Sequence, residues 1–140
     1  MTPIDDDIDE AAMAEAEAAL RALADEYPAY AAADVDQMAM ALEALRAAGG
    51  CDAGLVAELY GVAHNLKGQG SAFGYDLMTL LGEALCALTR DKTALDASAI
   101  SAASALISAC RTVLDQRLVG QGGAYGASLS AGLGLNLRAA

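Results

Sequence analysis

Positive charge is scarce in this 140-residue chain: eight Lys and Arg stand against nineteen Asp and Glu, for a formal net charge of −11. Phosphate backbones and anionic headgroups repel so acidic a chain, so neither nucleic acid nor membrane is an expected partner. Proline occurs only as Pro3 and Pro28, aromatic residues make up 4% of the chain, and β-branched residues are sparse. With Ala the commonest residue, that balance favours helices over sheets. The three cysteines, Cys51, Cys86 and Cys110, are far apart and form no CxxC pair. A structural zinc site is therefore not expected, and the usage suits a reducing cytoplasm better than secretion. The first residues, MTPIDDDIDE, are acidic where a signal peptide would be basic and then apolar. No apolar run reaches the ~18 residues of a membrane span. The expected location is cytoplasmic.

What the chain does have is apolar surface, at 56% of residues, enough for one domain with a substantial core. Residues 1–8 read as an acidic leader, 9–119 as a helical bundle domain and 120–140 as a Gly-rich C-terminal extension. A first helix is predicted over about 9–26 and broken at Tyr27-Pro28. A second runs over about 31–48, with Val35, Met38, Leu42 and Leu45 at helical spacing and Gly49-Gly50 at its end. Asp52 caps a third, to about Phe73. Gly74 and Tyr75 form a link, and Asp76 caps a fourth over 77–89, striped by Leu77, Leu80, Leu81, Leu85 and Leu88. A fifth covers about 94–118, using Leu95, Ile100, Leu106, Ile107, Cys110, Val113 and Leu114. The tail reads either as one weak helix packing its leucines on the bundle or as a mobile segment. Short connections between helices of similar length predict an all-α, antiparallel up-and-down four-helix bundle, with an extra N-terminal helix and a Gly/Ala/Leu-rich C-terminal tail.

The third helix carries the stretch AHNLKGQGSAFGYDLM, which holds the only histidine, His64. At about 100° per residue, Leu59, Val62, Leu66 and Phe73 point opposite His64 and form the buried stripe. His64 therefore faces solvent, with Tyr60, Gly61, Lys67, Gly68 and Ser71 on its side. Each interior glycine costs a helix about 1 kcal/mol relative to Ala. Gly61 and Gly68 flank His64 on an outer face where no core demands small residues, so an outside group is expected to approach the imidazole closely. Gly70 points nearer the core, where helix–helix packing explains it. The plain alternative is an idle surface histidine.

Neutral imidazole is a nucleophile, and Lys67 can neutralise a phosphoryl group on or near the ring. Ser71 and His64 lack an orienting acid at recognisable spacing, so a hydrolase triad is weakly supported. No G-x-x-x-x-G-K-[ST] loop is present and GQGSAFG does not fit G-x-G-x-x-G. The chain shows no nucleotide site of its own, so a phosphoryl group would come from another protein.

These residues resemble the signature of the histidine-containing phosphotransfer (HPt) domain family, H-x-x-K-G followed by a glycine ten residues after the histidine. His64, Lys67, Gly68 and Gly74 match in register, and Ala63 and Leu66 fill the usual apolar places. Gln69 departs from the small residues common after Lys-Gly, although it points away from His64. The resemblance covers about 9–119 and implies a four-helix bundle with an exposed phosphorylatable histidine. Such a domain carries phosphoryl groups between receiver-domain aspartates, often from a hybrid sensor histidine kinase to a response regulator. It implies His64 as acceptor, Lys67 supporting the phosphoryl group and Gly68 leaving room for the receiver; Tyr60, Gly61 and Ser71, on the same side of the helix, are expected in the docking footprint. No cofactor is expected on this chain, and magnesium would belong to the receiver. The expected activity is that of a phosphocarrier, not an enzyme with its own ATP site. Alternatives are a detached histidine domain phosphorylated by a chemotaxis-type kinase, and an inert helical interaction module.

Overall fold

A computed structural model describes residues 3–120 and 122–133 of the chain. All regular structure in them is helical: α1 (Pro3–Ala47), α2 (Ala53–Gly70), α3 (Asp76–Thr89), α4 (Ala97–Asp115) and α5 (Gly123–Leu133), with a 3₁₀ turn at Ser71–Phe73. α1 packs on α2 and α4, and α3 packs on the same two helices. The expected stripes supply most of the core, with Phe73, Leu80 and Leu88 only half-buried against it. Val35, Met38, Leu42 and Leu45 meet Val56, Leu59, Leu66, Leu77, Leu81, Leu85, Leu106 and Val113, all buried. Cys86 and Cys110 are buried among them, and burial pushes the Cys110 thiol up to about 12, far from thiolate chemistry.

The first two predicted helices are one. α1 runs unbroken through Pro28, so there is no separate N-terminal helix, and Pro3 to Ile8 of the acidic leader fall within it. Proline inside a helix removes the bond to the carbonyl four residues back and costs about 3 kcal/mol. Tertiary contacts offset that here. Tyr27 is buried and its ring lies 5.1 Å from each of the Phe73 and Tyr75 rings. Aromatic pairs contribute about 0.5–1.5 kcal/mol each beyond burial. Arg117 also donates to the Asp25 carbonyl in the disturbed turn, at 3.4 Å.

The connections explain the other boundaries. Gly50, at φ 81°, donates to the Leu45 carbonyl and accepts from the Leu95 N–H at 2.9 Å. A side chain there would overlap the Leu95 carbonyl, so the turn requires glycine. Asp52 caps α2, accepting from the Leu55 N–H at 3.1 Å, and Asp96 caps α4, accepting from Ala99 at 2.7 Å. α4 thus begins later than expected, and it ends at Asp115. Asp76 is not the cap of α3 but its first residue, preceded by Tyr75. The Leu77 N–H is satisfied from elsewhere, by the Gly120 carbonyl at 3.0 Å, while the Gly120 N–H donates to the Gly74 carbonyl. The tail helix is α5, with Tyr125 and Leu129 against the core; residues 134–140 lie outside the described residues. Although no apolar run of ~18 residues was expected, α4 is long and apolar enough by length and composition to cross a membrane; its buried side, including Ile100, Ala103, Leu106, Cys110 and Val113, packs in this core.

Candidate functional site

α2 displays the site. Val56, Leu59, Val62, Ala63 and Leu66 are buried along one side of it. His64 is exposed on the other, between exposed Gly61 and Gly68, as the periodicity requires. A methyl group added at Gly61 or Gly68 would meet nothing within 4 Å. Neither glycine therefore serves packing. Gly70 does: a Cβ there would sit 2.7 Å from the Thr79 nitrogen and 2.8 Å from the Tyr75 carbonyl. Gly82 on α3 does the same from the opposite side. Its Cβ would come within 2.7 Å of the Lys67 nitrogen and 3.0 Å of the Ala63 carbonyl. Two glycines thus let α3 press directly on the turn that carries His64.

The end of α2 is fastened to α3 by one hydroxyl. Thr79 Oγ1 donates to the Lys67 carbonyl at 3.1 Å and accepts from the Ser71 N–H at 2.8 Å and the Ser71 hydroxyl at 3.0 Å. That satisfies a carbonyl the last turn would otherwise leave open. Ser71 remains exposed, but its hydroxyl is committed to Thr79 rather than presented beside the imidazole.

Two different flanks border His64. Towards α3 the flank is charged. Lys67 forms an ion pair with Glu83, whose other oxygen lies 3.9 Å from Arg90. The hydrogen bond to Glu83 holds the Lys67 ammonium above the usual lysine range, and the same bond holds the Glu83 carboxyl below its usual range. Arg90 is raised too, first by its hydrogen bond to the Tyr60 hydroxyl. Tyr60, one turn before His64, is half-buried, its ring 6.0 Å from the imidazole. Lys67 is therefore tethered to α3. Towards α1 lies an open groove of about 580 Å³ lined by Asp34, Gln37, Glu58, Tyr60, His64 and Asn65. Burial raises the Asp34 carboxyl, and Gln37 donates to Glu58 at 3.3 Å.

Periodicity placed His64, Lys67, Tyr60, Gly61 and Gly68 on one surface. Glu83, Arg90, Thr79 and Gly82 were not anticipated. Gly82 did leave a signal, as the one glycine inside the leucine stripe of α3. Among the described residues no group of three or more His, Cys, Asp or Glu side chains could hold a metal ion. Compared with known proteins, the chain matches no family model, no curated protein and no solved structure.

Proposed function

We propose that this chain is a cytoplasmic phosphorelay carrier of the HPt kind. In this reading His64 accepts a phosphoryl group from a receiver-domain aspartate and passes it to another response regulator. The observation that carries the reading is the empty space over Gly61 and Gly68 on either side of an exposed histidine. Helix propensity argues against glycine at both positions, and packing gives no reason for either. The packing of α1 and α3 on both α2 and α4 supports the finer fold reading, an up-and-down four-helix bundle.

In the transfer, an imidazole nitrogen lone pair attacks phosphorus in line, a P–N bond forms, and the P–O bond to the aspartate breaks. The aspartate leaves as a carboxylate, and the second ring nitrogen keeps its proton. Magnesium is supplied by the receiver, and no cofactor resides on this chain. Lys67 exchanges part of its contact with Glu83 for the arriving phosphoryl oxygens. Tyr60, Gly61, Gly68 and Ser71 lie under the docked receiver, and a hybrid sensor kinase is the expected upstream source.

The deciding experiment incubates the purified chain with a panel of phosphorylated receiver domains, and separately with ATP alone. Transfer of acid-labile, base-stable phosphate from a receiver, with none from ATP, is the expected result. Labelling only by a separate kinase domain with ATP would make the chain a detached chemotaxis-type histidine domain. No labelling from either source leaves an inert helical module.

A further inference from the structure

Among the described residues, no helix packs over the first half of α1 from Asp9 to Glu26. From Asp9 to Glu26 every residue is exposed except half-buried Ala24, a length of about 27 Å at 1.5 Å per residue. Met13, Leu20, Leu23 and Tyr30 are exposed at 62%, 58%, 45% and 66%. With Ala16 and Tyr27 they are spaced alternately by three and four residues, the seam of a helix that packs against another helix. From Tyr27 onward the chain's own core covers α1; before it, among the described residues, the one hydrogen bond reaching the arm from elsewhere in the chain is that of Arg117 to the Asp25 carbonyl. The seam leads into an apolar groove of about 480 Å³ lined by Leu23, Tyr27, Tyr30, Ala33, Asp34 and Phe73.

Charge decides between occupants. The arm from Asp9 to Glu26 carries six acids, Asp9, Glu10, Glu15, Glu17, Asp25 and Glu26, against one base, Arg21. Every charged residue flanking the seam, Glu10, Glu17 and Glu26, is acidic. Pairing two arms antiparallel with Leu20 on Leu23 puts Glu17 opposite Glu26 and Asp9 opposite Asp34. A parallel pair sets each acid beside its own copy. Either arrangement opposes like charges, whereas a helix with Lys or Arg beside its apolar seam complements the arm throughout.

We propose that the N-terminal arm of α1, with the groove at its root, is a docking surface for a cationic amphipathic helix of another protein. This does not depend on phosphotransfer at His64. The test uses the full chain and two synthetic three-heptad peptides with Leu at both seam positions, one with Lys and one with Glu flanking the seam. Calorimetry should show saturable one-to-one binding of the Lys peptide, tighter than the Glu peptide by at least about tenfold and weakened by raising salt from about 0.05 to 0.5 M. Leu20→Gln with Leu23→Gln should abolish binding while circular dichroism shows the helical domain intact. Glu17→Lys with Glu26→Lys should transfer the preference to the Glu peptide. Equal binding of both peptides, binding of neither, or a light-scattering mass of two chains at micromolar concentration would overturn the proposal.

Discussion

Two pairs of glycines surround His64, and they answer to different demands. Gly70 and Gly82 lie where α2 and α3 touch, and a single added carbon at either would strike backbone of the other helix or its turn. Gly61 and Gly68 face open space, on the same helix and within two turns. The inner pair is explained by the fold. The outer pair lowers helix propensity and gains nothing from packing, and in the phosphotransfer reading its reason is what approaches the surface. Identical residues a few positions apart thus report on stability in one case and, in the phosphotransfer reading, on function in the other.

The largest expected effect is at the residue between the outer glycines. His64→Gln should abolish phosphate labelling from any phosphorylated receiver while leaving the melting temperature within a degree or so, since an exposed side chain away from caps and core contributes little. A large loss of stability would mean the imidazole is structural after all. Next comes Gly68→Gln. It should melt at an equal or higher temperature, by a few tenths to about 1 kcal/mol of helix propensity. Its side chain would project beside the imidazole and hold a receiver's aspartate away, and a 1 Å misplacement can cost about a hundredfold in transfer. Full activity in this stable variant would remove the functional meaning of the bare face.

The inner glycines should behave in the opposite sense. Gly82→Ala and Gly70→Ala should each destabilise the chain by about 1–3 kcal/mol, because the obstructing atoms are largely backbone and cannot swing aside. Gly61→Ala should stabilise by up to about 1 kcal/mol. Denaturant unfolding of the three variants side by side tests the division directly. If Gly61→Ala is as damaging as Gly82→Ala, the two pairs are not different in kind.

The site's position was legible because it depends on one helix. A period of 3.6 residues fixes His64 opposite Leu59, Val62 and Leu66, and Asp52 announces where the helix starts. Gly70 could be assigned to packing by the same geometry. The features that escaped all depend on residues distant in sequence. The break expected at Pro28 is a sound local reading, overridden by Phe73, Tyr75 and Arg117. Asp76 looked like a cap because nothing local reveals that Gly120 supplies the bond. Glu83 and Arg90 flank the histidine only because Gly82 lets α3 approach so closely. The functional assignment itself rests on the exposed histidine, the bare face and the motif.

The smallest expected effect concerns the charged flank. Glu83 is held below its ordinary range by Lys67, so its contribution to stability is complete above the carboxylate range of the unfolded chain and is lost as pH falls through the depressed value. Lys67 is raised by Glu83, so its share is complete below the unfolded lysine value and is lost only as pH rises through the higher one. The pair is therefore constant around neutrality and fades at both extremes. Both side chains are more than a third exposed, and in such surroundings ion pairs contribute little. Glu83→Gln should lower the melting temperature slightly near neutral pH, with the difference shrinking in high salt and vanishing well below about pH 4. Lys67→Ala should show the same small loss of stability, and in the phosphotransfer reading it should also slow transfer while leaving receiver binding intact. A pH-independent loss in Glu83→Gln would mean that Glu83 acts through packing like the inner glycines. An unchanged transfer rate in Lys67→Ala would reduce Lys67 to a tether between α2 and α3, placing the charged flank on the structural side of the comparison and leaving the outer glycines and His64 alone on the functional one.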